Sequence, residues 1–230
     1  MHPYPFGTRA FLVVLLALSI TGPTWARPGL YVELGSGLQA VSGAEVPIAN
    51  IQAMDDGTRL VIDPRLQPQL TTDTGTGPLV SLRLGYNVLG YGALELALSG
   101  SGTNLGDSRQ RTGVGHVALL ARAYPLWHFY PELPVEPWLL IGGGWSIQTQ
   151  ALVDRIAWDG GALHLGFGAS YYPLPWLSLY CELRYVRVFH ERFWFDSGSD
   201  LIFPVSPSAG TGYWLPGLGV AFHFTTAQVK

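Results

Sequence analysis

The sequence predicts an all-β fold, an eight-stranded antiparallel up-and-down transmembrane β-barrel. Three observations predict it. First, apolar residues alternate with small or charged residues over segments of roughly ten positions, which is typical of a strand that faces lipid on one side only. Second, the chain is 48% hydrophobic but only 13% charged, and 29 of its 230 residues are glycine. Third, the links between the candidate strands alternate between short and long.

The alternation is clearest from Gly161 to Val186, on both sides of the short link Pro173–Trp176. Apolar side chains occupy one parity there, whereas the other parity is rich in glycine and contains no lysine. In the whole chain the only lysine is Lys230. A surface in contact with water would carry more charge. The second face of each strand is therefore expected to point into a narrow lumen that side chains fill.

The first 26 residues have the pattern of a secretory signal peptide. Arg9 supplies positive charge, residues 10–20 form an apolar segment, and Thr24 and Ala26 stand at the minus-three and minus-one positions of a cleavage site. The apolar segment is shorter than the roughly 20 residues of a membrane-spanning helix. Residues 1–26 are thus predicted to be a signal peptide, and residues 27–230 are predicted to form one barrel domain.

Charge and cysteine content exclude several classes of protein. The mature segment loses only Arg9 from the 13 basic residues, so 12 basic residues stand against 16 acidic ones, a balance of −4. Nucleic-acid binding requires a basic patch, which this chain lacks. The single Cys181 excludes an internal disulfide. No mature stretch is apolar enough for a transmembrane helix, so membrane insertion is predicted to use strands.

Eight strands are predicted, most of them with the roughly 9–11 residues needed to cross a membrane at a tilt. An even number places both termini on the periplasmic side. The predicted strands are Leu30–Ala40, Pro78–Asn87, Tyr91–Ser99, Gly113–Tyr124, Val135–Thr149, the two segments on either side of Pro173–Trp176 (the second reaching about His190), and Thr211–Phe224.

The links support the same topology. The short links are Val88–Gly90, Pro173–Trp176 and the somewhat longer Pro125–Pro134, and the long links are Val41–Gly77, Gly100–Thr112, Gln150–Gly160 and Glu191–Gly210. Strict alternation of this kind is typical of short periplasmic turns and longer outer loops. An extracellular partner of unknown identity is expected to meet loops 41–77 and 191–210.

Aromatic residues are predicted to form two girdles at the membrane interfaces. One group lies near the short links: Tyr86, Tyr91, Tyr124, Trp127, Trp138, Tyr171, Trp176, Phe222 and Phe224. The other lies toward the long links: Trp145, Trp158, Phe189, Phe193, Trp194, Tyr213 and Trp214.

The last predicted strand carries the most specific motif, Gly219-Val220-Ala221-Phe222-His223-Phe224. With this motif and the strand layout, the chain resembles the small eight-stranded outer-membrane barrels of Gram-negative bacteria, of the OmpA-transmembrane-domain and OmpX-like type. The resemblance implies that Gly219, Phe222 and Phe224 form a C-terminal insertion signal, although Thr225–Lys230 follow the usual end of that signal. It also implies location in the cell outer membrane, contact with outer-membrane lipid, and insertion by the barrel-assembly machinery.

The parity opposite to the lipid face predicts a polar network inside the lumen. Its members are Glu33, Arg83, Glu95, His116, Arg122, His164, Glu182, Arg184 and His223. Buried charges cost several kcal/mol each unless they are paired. Because three glutamates stand against three arginines, we expect them to pair across the lumen and to plug it. Arginine suits such pairing through its forked donors.

The predicted function is a structural or surface-interaction role in the cell envelope, without enzymatic activity, cofactor or metal. Two alternatives stay open: a lipid-modifying outer-membrane enzyme similar to lipid A deacylases, and a narrow pore for small solutes. An enzyme could be imagined around His116, His164, Glu182 and Ser170, but neither a G-x-S-x-G elbow nor a His-x-Ser-Asn stretch is present. The histidines are too dispersed along the chain for a recognisable zinc site.

Overall fold

A computed structural model describes residues 29–44, 76–88, 91–105, 110–126, 135–151, 155–196, 200–204 and 210–225. The predicted signal peptide and most of the predicted loop 41–77 lie outside these residues and stay predictions. Within the described segments, no helix is long and apolar enough to cross a membrane.

Nine antiparallel strands make up the described chain. Their bounds are β1 Gly29–Ala44, β2 Gly77–Val88, β3 Gly92–Leu105, β4 Gln110–Ala123, β5 Val135–Ala151, β6 Arg155–Leu174, β7 Leu177–Asp196, β8 Asp200–Pro204 and β9 Gly210–Thr225.

Eight of these strands close into a barrel. From β1 to β7 each strand pairs with the next one along the chain. β9 then pairs with both β7 and β1, which closes the wall. The short β8 pairs with the last residues of β7, Arg192–Asp196, and lies outside the closed ring. The predicted fold, an all-β, eight-stranded antiparallel up-and-down barrel, is confirmed.

The strands differ from the prediction at one end of the barrel. We call the end with the short links the turn end, and the opposite end the loop end. At the loop end β3 continues to Leu105, β6 begins at Arg155 and β7 continues to Asp196. Much of the predicted links Gly100–Thr112, Gln150–Gly160 and Glu191–Gly210 is therefore strand, and those loop assignments were wrong.

The physical reason is that backbone pairing continues where the apolar alternation stops. Leu105 still pairs with Gln110, and Ala151 pairs with Arg155. Residues beyond the apolar belt need no alternating apolar side chains, so the sequence pattern fades although the hydrogen-bonded ladder does not. The five-residue β8 was missed for the same reason.

The two faces of the wall have opposite character. Large apolar side chains point outward and are exposed, for example Val80, Leu119 and Leu165. Polar and aromatic side chains point inward and are buried. Contiguous exposed apolar surface on this scale is rare in a soluble monomer. The wall is built to be surrounded by lipid, as the alternation predicted.

Several aromatic residues assigned to the girdles point into the lumen instead. Trp138, Trp158, Tyr124 and Tyr213 are all buried inside the barrel. These residues alternate in phase with the other inward-facing residues of their strands. The girdle prediction considered only how close they are to the strand ends. The exposed girdle residues are Tyr86, Tyr91, Trp176, Phe222 and Phe224 at the turn end, with Trp145, Phe189 and Trp214 toward the loop end. Trp127 and the side chains of Phe193 and Trp194 lie outside the described residues.

Candidate functional site: the barrel lumen

Five charged side chains meet in the lumen on the turn side of its middle, and we call them the ion cluster: Glu33, Arg83, Glu95, Arg122 and Glu182. Each lies at an inward position of a different strand, from β1, β2, β3, β4 and β7. The register places Glu33 directly opposite Arg83. Glu95 contacts Arg83 and Arg122 from the two strands beside its own. The Arg122–Glu33 and Arg83–Glu182 contacts join strands that are not neighbours, because the barrel is narrow enough for their side chains to touch.

Arg122 and Arg83 each hold more than one carboxylate. Arg122 Nη1 donates to Glu33 Oε1 at 2.8 Å, and its Nη2 lies 2.7 Å from Glu95 Oε1. Arg83 Nη1 lies 3.3 Å from Glu33 Oε2 and 3.8 Å from Glu95 Oε2. Arg83 Nη2 donates to Glu182. The forked geometry of the guanidinium makes this sharing possible, which a lysine could not reproduce.

Aromatic side chains enclose the ion cluster. The Arg122 guanidinium carbon lies 4.1 Å from the centre of the Trp138 ring, and that of Arg83 lies 5.6 Å from the Tyr180 ring. Tyr31 donates its hydroxyl hydrogen to Glu95. Cation–π contacts of this kind add about 0.5–2 kcal/mol each. Trp138 was predicted to belong to a girdle, and Tyr31 and Tyr180 were not singled out, although the inward parity of all three was the signal that could have found them.

A second group lies farther toward the loop end and contains Arg184, His116 and His164. All three are buried. The two imidazole rings meet edge to face, with their centres 5.8 Å apart. Arg184 differs from the expectation that each arginine pairs with a glutamate. Among the described residues it makes no ion pair, and its three nitrogens have no hydrogen-bond partner.

An apolar layer fills the lumen beyond this group. It consists of Leu79, Val114, Ala162, Val186, Val188, Tyr213 and Leu215, all buried. The Tyr213 ring lies 5.8 Å from the ring of His116, so the apolar layer and the histidines are in contact. The lumen thus contains the ion cluster, the Arg184 group and an apolar layer in succession.

A polar group closes the turn end. His223, the last of the predicted network residues, has its Nε2 at 2.9 Å from Ser178 Oγ. Its ring centre is 5.4 Å from both the Tyr31 ring and the Tyr172 ring. Tyr172 in turn donates to Glu136 at 2.8 Å. Ser178 and Glu136 were missed by the sequence reasoning, although both have the inward parity.

The imagined catalytic group is not assembled in the described part of the chain. Ser170 Oγ accepts a hydrogen bond from Trp138 Nε1 at 3.1 Å. The ring nitrogens of His116 and His164 have no hydrogen-bond partner there. A serine nucleophile needs a histidine within hydrogen-bond reach and an acid behind it. These residues therefore offer no activated serine.

The residues of the predicted insertion signal occupy β9, next to the seam with β1. Phe222 and Phe224 point outward and are exposed, and the Phe222 ring stacks on Trp176 with the ring centres 6.3 Å apart. Gly219 lies so close to the Leu34 carbonyl and the Tyr180 ring that a Cβ atom would not fit. The role of these residues in insertion stays a prediction.

Comparison with solved structures identifies the fold. No family model and no curated protein matches the sequence. The crystal structure of Neisserial surface protein A is similar with a TM-score of 0.56 at 13% identity, covering 86% of this chain and 99% of that one. A major outer membrane protein from Thermus thermophilus gives a TM-score of 0.52 at 16% identity, covering 85% and 98%. The chain has the fold of an outer-membrane β-barrel. The outer membrane protein OprG from Pseudomonas aeruginosa is also similar, with a TM-score of 0.50 at 14% identity, covering 87% and 99%.

The outer-membrane fold agrees with the exposed surface of the barrel. Its exposed leucines, valines and aromatic rings form a belt around every wall strand, as an outer-membrane barrel requires. The three similar structures are each covered almost completely, so the shared part is the whole barrel. The predicted location in the cell outer membrane is thereby supported by both fold and surface.

Proposed function

We propose that this protein is a structural, non-conducting barrel of the outer membrane whose lumen is plugged by the ion cluster and the layers around it. The observation that carries this proposal is the sharing of Arg83 and Arg122 among three glutamates, all of them buried. A water-filled lumen would hydrate these charges separately. In a dry lumen they must satisfy one another, because an unpaired buried charge costs several kcal/mol.

The apolar layer, on the loop side of the ion cluster, also supports a plugged lumen. Val186 and Val188 follow Arg184 on the inward face of β7 toward the loop end, and both are buried in the apolar layer. An ion crossing the lumen would have to leave water, pass this apolar layer and then break the contacts of the ion cluster. Each step adds a barrier, and together they oppose conduction.

The loop end is proposed to be the surface that meets an extracellular partner. β6 and β7 are 20 residues long each, about twice the length needed to cross the membrane. They therefore project beyond the lipid at the loop end, where β6 begins and β7 ends. The proposed partner surface consists of the predicted loop 41–77 and of residues 191–210, where the end of β7 and the short β8 replace much of the predicted loop. Contact of the belt with outer-membrane lipid, and insertion by the barrel-assembly machinery, are part of the same proposal.

The proposal is tested by refolding the full chain into lipid vesicles loaded with a small dye and with potassium ions. We expect neither solute to leave faster than from protein-free vesicles. The same vesicles, prepared with lipid A and phospholipid, should show no lipid product after prolonged incubation. Release of ions would instead support the narrow pore, and a deacylated or cleaved lipid would support the enzyme. Either result would overturn the proposed role.

A further inference from the structure

Arg184 is the one arginine of the predicted network whose charge the described residues leave without a direct partner. Its side chain is 1% exposed, and its Nε, Nη1 and Nη2 atoms have no hydrogen-bond acceptor among the described residues. A guanidinium has five N–H donors and no acceptor, so its ligand has to be an acceptor. Burial of such a group without one is costly. The position therefore calls for an acceptor that the described wall does not supply.

Two histidines face the same space. His164 lies on β6 opposite Val186, and Arg184 lies two residues earlier on β7, opposite Gly166. His116 reaches in from β4, with its ring centre 5.8 Å from that of His164. The Arg184 charge interacts electrostatically with both rings. Every ring nitrogen of the two histidines is also without a hydrogen-bond partner in the described segments. Since each imidazole has at least one N–H, the group offers donors from three side chains.

The carboxylate that neighbours Arg184 on β7 makes no direct ion pair with it among the described residues. Glu182 is two residues from Arg184 on the same face of β7, and its charge acts on Arg184. Its Oε1 accepts a hydrogen bond from Arg83, and its Oε2 makes no hydrogen bond to Arg184 or to any other described residue. Toward the loop end, the neighbours are the apolar side chains of the layer that contains Val186 and Leu215. Arg184 is opposite Leu215 in the register with β9. The direction away from the ion cluster thus provides no acceptor side chain among these residues.

We propose that Arg184, His116 and His164 bind one small inorganic anion of chloride size inside the lumen. An anion accepts hydrogen bonds from all three side chains and places an acceptor directly against the guanidinium. Its size is limited because Arg184, His164 and His116 are 1%, 0% and 3% exposed, in a narrow barrel. Larger organic anions are therefore excluded.

The test is urea unfolding of the full chain refolded in zwitterionic lipid vesicles, at constant ionic strength, in sodium chloride and in sodium gluconate. Gluconate serves as the anion too large for the site. Binding to the folded state alone stabilises it by mass action. At a chloride concentration about 100-fold above the dissociation constant, the urea midpoint of the wild type should rise by about 1 M, and the rise should saturate.

Two variants separate a specific site from a general salt effect. Arg184→Met keeps much of the volume of the side chain and removes the charge, so its midpoint should be equal in the two salts. Arg192→Met is the matched control, because Arg192 is half exposed and pairs with Asp159 away from the Arg184 group. It should keep the full chloride effect. The proposal is overturned if wild type shows no difference between the salts, or if Arg184→Met shows the same difference.

A second measurement does not depend on the folding of any variant. Crystals of the wild-type protein grown in sodium bromide should give an anomalous peak bounded by the Arg184 guanidinium and the rings of His116 and His164. Absence of a peak there at high bromide concentration would count against the site. If another part of the chain supplied the acceptor for Arg184, the urea midpoints would not differ between the two salts and no bromide peak would appear. The proposal would then be wrong.

Discussion

Replacing Arg122 with methionine removes a side chain that forms ion pairs with both Glu33 and Glu95. Its Nη1 lies 2.8 Å from Glu33 and its Nη2 lies 2.7 Å from Glu95. After the substitution, three carboxylates share Arg83 alone within the ion cluster. Truncating one partner of a buried ion pair costs about 3–5 kcal/mol, because the remaining charge stays buried. The stacking of Arg122 on Trp138 is lost as well.

The assay is urea unfolding in lipid vesicles, followed by tryptophan fluorescence and by gel mobility of the folded barrel. With an m-value of about 2 kcal/mol per molar urea, the midpoint of Arg122→Met should fall by about 2 M. Arg192→Met is again the control, since this half-exposed arginine lies at the loop end and should leave the midpoint close to the wild-type value.

A double-mutant cycle shows whether the loss comes from the unpaired charge. Adding Glu95→Gln to Arg122→Met lowers the acids of the ion cluster from three to two and the arginines from two to one, so the original excess of one acid returns. The double variant should be more stable than Arg122→Met alone, with a coupling free energy of about 0.5–3 kcal/mol. Additive losses, or a midpoint shift of Arg122→Met no larger than that of the control, would refute the reasoning.

Three further predictions concern the lipid face, the close approach of side chains and the orientation. Leu165→Arg, on the exposed apolar face of β6, should lower the stability of the barrel by about 2–4 kcal/mol in vesicle unfolding, whereas Leu126→Arg in a turn should cost at most about 1 kcal/mol. Equal losses would contradict the assigned parity. Gly85→Ala should cost about 1–3 kcal/mol because its new Cβ meets the Tyr31 ring, but Gly100→Ala, with only the Val114 carbonyl 3.8 Å away, should be nearly neutral. A neutral Gly85→Ala would show that Tyr31 can move freely. Epitope tags at Asp56 and Ser197 should be reachable by antibody on intact cells while a tag at Leu89 should not, and surface labelling at Leu89 alone would reverse the orientation.

The sequence allowed the wall of the barrel to be predicted because one physical requirement governs it. Lipid on one face and a filled lumen on the other force side chains such as Leu165 and His164 into alternating positions. The same parity placed residues of the predicted network, such as Glu33 and Arg122, at inward positions. It contains no information on which inward residues meet, since that depends on strand tilt and on distances across the lumen.

The misassigned features share a cause. Trp138 was assigned to a girdle by its position along β5, although its parity directs it inward onto Arg122. Counting three arginines against three glutamates suggested three pairs, but two arginines hold all three acids, and Arg184 lies one layer away. Composition gives the balance of charge within the lumen but not its arrangement. The loop-end extensions of β6 and β7 were not predicted, because they lie beyond the lipid, where no alternation of apolar side chains is required.

The most direct test of the plugged lumen is the conductance of the wild-type protein in a planar lipid bilayer. Purified, refolded protein would be added at increasing amounts under symmetrical potassium chloride of high concentration, with insertion checked by recovery of folded protein from the membrane. The ion cluster and the apolar layer predict a flat current trace with no discrete steps at any applied voltage. Reproducible unitary steps whose ion selectivity changes in Glu95→Gln would show that ions pass the ion cluster, and the central claim would be wrong.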